Sequence, residues 1–215
     1  MTKDFAGVAL PIAVAAFVSA LPGIILGAIR GGVVGALSAS GSVDSTVILL
    51  INSVSGVVNF VIGVLVQAYI MGGIVLFALR VARGDKPEFG VVFSGGRFFL
   101  PLFGATLLYQ FAGGVGFALC IVPGLIVFAG WAAYSAFIVD KNMGAMDSLG
   151  ASWAATAPYR MNIIIYFILV FFVFVAGLLA CGIGALLVSF PVVTIGNAYL
   201  YLKLIGEQPR LAGAQ

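Results

Sequence analysis

Apolar residues run through this chain in long, unbroken stretches, and the polar intervals between them are short. A transmembrane helix needs roughly 20 consecutive apolar residues, whereas a membrane β-strand shows brief alternating segments. The runs here are of the helical kind. The first, residues 5–29, contains Pro11 and Pro22 and gives way to "RGGVVGALSASGSVDST", whose glycines and serines predict a loop. The second, residues 47–82, would be about 54 Å long as one helix, against a hydrocarbon core of about 30 Å. It must tilt, bend at its glycines or project from the bilayer. Residues 98–139 divide into spans 98–119 and 121–139, turning at Cys120 and "VPG". Residues 161–205 divide into spans 161–181 and 183–205, turning at "CGIG". The prediction is an all-α, polytopic transmembrane helical bundle of about six spans, forming one membrane domain over residues 1–215.

Charge placement adds an orientation. Of the ten basic residues, nine (Lys3, Arg80, Arg83, Lys86, Arg97, Lys141, Arg160, Lys203 and Arg210) fall on one side of a six-span arrangement, and only Arg30 falls on the other. Lysine and arginine collect in cytoplasmic loops, so both termini are expected in the cytoplasm. The N-terminal apolar run exceeds the roughly 7–15 residues of a signal peptide's core, so it is expected to remain as a span. Two cytoplasmic segments are expected to lie along the membrane. One is "EFGVVFSGGRFF". The other is "MGAMDSLGASWAAT", which sets Met146, Leu149 and Trp153 at helical spacing as an interfacial anchor. A solvated connecting helix is the alternative for the latter.

Within the second run, Asn52, Ser55, Gly56, Asn59, Gly63 and Gln67 fall on a single helical stripe. Unpaired amides are costly in lipid, so this stripe faces protein or water. Three roles fit it: a helix–helix seam inside the monomer, a self-association seam, or the lining of a conduit. Small residues and interhelical amides serve the first two. An uncharged conduit suits water, small neutral solutes or lipid head groups better than protons. Asn197, in "TIGNAYLYL", is a candidate partner for the stripe.

Composition narrows the chemistry. The chain is 63% hydrophobic and 8% charged, with 29 glycines and no histidine. With no imidazole and no ionisable residue in mid-span, it offers little for acid–base catalysis, metal binding or proton relay. No catalytic, cofactor or metal site is therefore assigned. The scattered basic residues do not form a nucleic-acid surface. Asp140 and Asp147, beside Lys141, are expected in a solvated cytoplasmic loop, and Tyr201 and Trp131 at membrane interfaces. Cys120 and Cys181 both fall at non-cytoplasmic turns, the oxidising side in a bacterium. A disulfide between them would clamp two hairpins, and the alternative is a pair of small buried thiols. "GFALCIVPGL" and "GLLACGIGAL" each place glycine four residues before cysteine, an echo consistent with repeated hairpins.

"PEFGVVFSGGRFFLPLFGATLL", "LCIVPGLIVFAGWAAYSAFIVDKNMGAMDSLGASW" and "CGIGALLVSFPVVTIGNAYLY" carry a resemblance. It spans roughly Val64 to Ile205. Its marks are Pro123–Gly124, the connector from Asp140 to Ser152–Trp153, and the glycine-rich turn before Pro191. Together they resemble a group of uncharacterised bacterial integral membrane proteins. That group is similar to the membrane domain found beside glycerophosphoryl diester phosphodiesterase domains. The resemblance implies a six-span bundle in the bacterial inner membrane, working next to lipids or lipid enzymes. Hydrolysis in those relatives belongs to a separate soluble domain, and it does not carry over to this chain.

Two functions follow as expectations. One is a non-enzymatic structural or accessory membrane protein, a homo-oligomer or a subunit of a larger complex, surrounded by membrane lipids. The other is a small transporter or channel for a neutral or lipid-like solute. A dry seam along the amide stripe favours the first, and a wet cavity the second.

Overall fold

The computed structural model describes residues 2–41, 43–179 and 189–209, and those residues are helical with short connections. The helices are α1 (Thr2–Ser40), α2 (Ser45–Ala82), a 3₁₀ segment (Phe89–Phe98), α3 (Phe99–Leu119), α4 (Ile121–Gly130), α5 (Tyr134–Lys141), α6 (Ala145–Thr156), α7 (Arg160–Leu179) and α8 (Phe190–Leu204). Among the described residues, five stretches are long and apolar enough to cross a membrane: Gly7–Ser40, Ser45–Ala82, Phe89–Leu119, Val122–Lys141 and Ala145–Leu178. The chain is a helical membrane protein.

The expected loop after residue 29 is not a loop. α1 continues through "RGGVVGALSAS" to Ser40, and α2 begins at Ser45. Glycine disfavours a helix in water, but in hydrocarbon an open backbone leaves its N–H and C=O groups unpaired, and the helix is retained. The turn is confined to four residues. Gly41 takes φ +61°, and Asp44 caps α2 by accepting the Thr46 N–H at 3.0 Å. α1 and α2 therefore form a hairpin whose arms are each about 57 Å long.

Packing divides this hairpin in two. In α2 every buried residue lies between Val64 and Ala82. Among the α1 residues whose burial is described, the buried ones are Ala9, Pro11, Ile12, Ala13, Ala15 and Ala16. Beyond these, Ile24, Ile25, Leu49, Leu50, Val54 and Val57 are exposed. The near ends belong to a packed head, and the far ends present apolar surface that requires hydrocarbon around it.

The 3₁₀ segment crosses α2 at a glycine notch. A Cβ on Gly73 would strike the Val92 carbonyl, and one on Gly95 would strike the Tyr69 carbonyl. Only glycine permits backbones this close. α3 and α4 form the hairpin expected from the sequence, with Cys120 extended at its turn (φ −171°, ψ 154°) and Gly116 against the Gly124 backbone. Their turn stops short of the other hairpin. Gln110 of α3 meets Gln67 of α2. From that level α3 runs on only to Leu119, whereas α2 extends back to Ser45, about 20 Å farther.

The span expected over 121–139 is a broken helix, interrupted at 131–133 between α4 and α5. α6 runs beside the break. Its buried face carries Ser148, Leu149, Ser152 and Thr156, and the hydroxyls mend the interrupted ladder. Ser152 Oγ donates to the Gly130 carbonyl (3.0 Å) and accepts from the Ala133 N–H (3.1 Å). Thr156 Oγ1 donates to the same carbonyl (2.9 Å). A broken helix at membrane depth persists only where such partners satisfy its freed backbone groups.

Candidate functional site

The head carries a partly open cavity of about 730 Å³ between α2, α3, α5, α7 and α8, with Ser19 of α1 and Phe128 of α4 also on its wall. That volume is typical of a small-molecule site. Most of its wall is apolar, as the surrounding sequence dictates. Polar groups reach it from several helices: Gln67, Thr106, Gln110, Tyr134, Thr194 and Asn197. Among the described residues that line it, none is charged.

Each polar group is held by a neighbour. Gln110 Nε2 donates to Gln67 Oε1 at 3.3 Å, linking α3 to α2. Thr106 Oγ1 and Tyr134 Oη lie 3.0 Å apart, and Tyr134 Oη approaches Met71 Sδ at 3.8 Å. On the α7–α8 side, Tyr166 donates its hydroxyl to Asn197 Oδ1 at 3.0 Å. These pairings leave the second oxygen lone pairs and amide protons free to meet a guest, because each amide carries more hydrogen-bonding capacity than one pairing uses.

One end of the cavity lies beneath an ion-pair cluster. Arg83, just past the end of α2, grips Asp140 of α5 with two bonds, Nη1 to Oδ1 at 2.6 Å and Nη2 to Oδ2 at 3.0 Å. Its Nε reaches Glu207 Oε2 at 3.0 Å, and Tyr201 Oη of α8 donates to Asp140 Oδ2 at 2.9 Å. The hydrogen bonds that Arg83 donates to the Asp140 carboxylate are the main reason the Arg83 pKa is raised. The ends of α2, α5 and α8 are therefore tied together. Ala136 and Ala198 line the cavity one turn before Asp140 and Tyr201, which places the cluster directly above them. This corrects two expectations. Asp140 is not in a solvated loop, since its side chain is 15% exposed and paired. Tyr201 is fully buried and makes no interfacial display. The two corrections are linked: the bidentate guanidinium lets the Asp140 carboxylate leave water, and that carboxylate in turn accepts from the Tyr201 phenol.

The six stripe residues do not share one environment. Gly63 and Gln67 line the cavity. Asn52 accepts a bond from Arg30 Nε of α1 at 3.1 Å, toward the far end of the hairpin. Ser55 donates its hydroxyl back to carbonyls of its own helix, Ile51 (2.5 Å) and Asn52 (3.3 Å). A Cβ on Gly56 or Gly63 would meet nothing within 4 Å. Asn59 is half-buried, with no side-chain hydrogen bond to another described residue. Asn197 faces the same cavity as Gln67, although its bond is to Tyr166.

Of the α6 residues, Leu149 is buried in the head, Met146 is exposed, and Trp153 is partly exposed. Trp153 stacks edge-on with Trp131 at 6.2 Å between centroids, and the Arg160 guanidinium sits 3.9 Å above its ring. The three do not share one exposed face, because hydroxyl residues and Leu149 occupy the side toward the helix break. Cys120 is exposed at the α3–α4 turn. Cys181 and the second echo "GLLACGIGAL" beyond Leu179 lie outside the described residues, as does the pairing of the two cysteines.

Gln110, Thr106 and Tyr134 are the site residues that the sequence did not single out. Each is an isolated polar residue in an apolar run, and only the packing of separate helices brings them together. An intramembrane amide or phenol was the available signal, and Gln110 in "LLYQFAGG" carries it plainly.

No family model matches this sequence. No solved structure matches it either. The chain is similar to an uncharacterised protein of Mycobacterium tuberculosis and to an uncharacterised protein of Mycobacterium bovis, each 27% identical over 206 residues. Those residues are 93% of this chain but 62% of each relative, so the chain spans under two thirds of the length of the proteins it matches.

Proposed function

We propose that this protein is a non-enzymatic, membrane-embedded binding module that carries or transports an uncharged, hydrogen-bonding solute through the cavity between α2, α3, α5, α7 and α8. The observation that carries this is the Gln67–Gln110 pair, two amides at 3.3 Å on the wall of an uncharged, partly open cavity in an apolar bundle. Two amides joined only to each other could be replaced by leucines with little loss. Two amides that also face open space are suited to a guest with hydroxyl or carbonyl groups. The broken α4–α5 helix forms part of the same wall through Ala133 and Tyr134, an arrangement shared with membrane proteins whose solute sites lie at interrupted helices. The setting is the bacterial inner membrane, with the Arg83–Asp140–Glu207 end and both termini in the cytoplasm, supported by the concentration of basic residues at that end.

The test is binding of glycerol monobutyrate to the purified protein by isothermal titration. Gln67→Leu and Asn197→Leu should each weaken it about tenfold, the value of one lost hydrogen bond. Equal binding by wild type and both variants, or none by wild type, would remove the cavity from consideration.

A second role, self-association, has its own support. Gly23, Gly27, Gly31 and Gly35 recur every four residues on α1, each with open space where a Cβ would be, and Asn59 is unpaired among the described residues. Rows of this kind pack against a second helix. Asn59→Leu should then shift the detergent-extracted assembly to smaller species. An unchanged mass would leave the row facing lipid.

A further inference from the structure

The cavity has an apolar neighbour. On the outer face between α2 and α3 a groove of about 610 Å³ is lined by Phe60, Leu107, Leu108, Phe111, Gly114 and Val115, and its one amide is Gln110. Phe60 and Gln110 also line the cavity, so the two spaces meet at that pair. The surroundings of the groove follow from the hairpin offset. Exposed Val54, Val57 and Val58 require hydrocarbon up to the level of Asn52, where the exposed Arg30 of α1 marks water, and Phe60 stands about 12 Å inside that level. The groove is therefore open to acyl chains rather than to water. An uncharged cavity rich in amides and phenols, opening sideways into an apolar trough, has the two chemistries of one amphipathic molecule.

We propose that the ligand is a neutral lipid, an acylated molecule with an uncharged, hydroxyl-bearing head group, which enters from the bilayer between α2 and α3. This rests on the cavity being a binding site, as argued above. The head group replaces the wall's unused hydrogen bonds near Gln67, Gln110 and Asn197. An acyl chain lies along Leu108, Phe111 and Val115. A phosphate would enter a wall with no cation among the described lining residues, since Arg83 is engaged by two carboxylates outside it. Gly114 keeps the trough open, because a Cβ there would meet nothing within 4 Å.

The experiment uses the full chain in phosphatidylcholine nanodiscs with a diacylglycerol bearing a diazirine on one acyl chain. Photolabelling should map to Leu107–Val115. Gly114→Phe should reduce it about tenfold, the effect of displacing about two methylene groups, and Val115→Trp should act alike from the adjacent position. Glycerol monobutyrate, whose four-carbon chain covers little of the trough, should lose less binding than the diacylglycerol loses labelling in both variants. Labelling spread over α7 and the outer hairpin, or unchanged in both variants, would overturn the lateral route while monobutyrate binding kept the cavity as a site. A phosphatidylglycerol analogue labelling the same residues equally well would overturn the neutral head group. Loss of monobutyrate binding in Gln67→Leu together with intact diacylglycerol labelling would separate groove from cavity and overturn their joint occupancy.

Discussion

Ser152 donates its hydroxyl to the carbonyl of Gly130, 22 residues earlier, at the point where the helix through α4 and α5 is interrupted. The same oxygen accepts from Ala133 N–H, so one side chain closes both sides of the break. The cavity wall at Ala133 and Tyr134 is positioned by this contact.

Ser152→Ala should therefore destabilise the protein by about 1–3 kcal/mol, the penalty for leaving a buried donor and acceptor unmade. The chain's two tryptophans, Trp131 and Trp153, flank the break and report on it directly. Thermal unfolding in detergent, followed by their fluorescence, should show a lowered midpoint. An unchanged midpoint would mean that water or Thr156 suffices to satisfy the break.

The Arg83–Asp140 pair predicts a charge-dependent loss. Arg83→Gln leaves a mostly buried carboxylate with Tyr201 as its remaining neutral partner, and should cost about 2 kcal/mol after allowance for the partial exposure of Arg83. Asp140→Asn in the Arg83→Gln background should recover part of that loss, since no charge then remains unpaired. Chemical denaturation of the four proteins gives the coupling, and strict additivity would mean the two side chains act independently.

Glycines of the two halves should respond oppositely. Gly73→Ala forces a Cβ into the Val92 carbonyl and should destabilise by about 1–3 kcal/mol, as overpacking does. Gly56→Ala meets open space on a helix and should be neutral or stabilise by up to about 1 kcal/mol. Melting temperatures of the two variants in one detergent would decide, and a Gly73→Ala protein as stable as wild type would contradict the notch.

Asp44 gives a pH dependence. Its backbone bond from Thr46 N–H holds its pKa below the ordinary 3.8, so the charged cap stabilises the start of α2 above that value. The contribution fades as pH falls below 3.8 and is lost once the folded-state pKa is passed. The protection of the Val47 and Ile48 amides, taken against the intrinsic exchange rate at each pH, should fall over that acid range and stay constant between pH 5 and 8. Asp44→Asn should remove the dependence.

The helical class, the extents of the apolar runs and the turn at Cys120 follow from local composition, because in hydrocarbon each segment must satisfy its own backbone and has few alternatives to a helix. The same rule explains the missed loop after Ile29. "GGVVGALSAS" carries the residues of a water-exposed turn, and its apolar setting keeps it helical. The amide stripe was visible as a pattern, but its partners were not. Gln67 meets Gln110, 43 residues on, while Asn52 meets Arg30 and Asn59 makes no side-chain hydrogen bond with another described residue. Nothing in a single helix's periodicity says which neighbour lies beside it. The break at 131–133 has the same origin, since it is stable only because Ser152 and Thr156 return to it from another helix. Local sequence thus determined that the chain forms helices for a membrane. Tertiary structure alone decided where they break, which charges leave water and where the cavity opens, because those outcomes depend on partners distant in sequence.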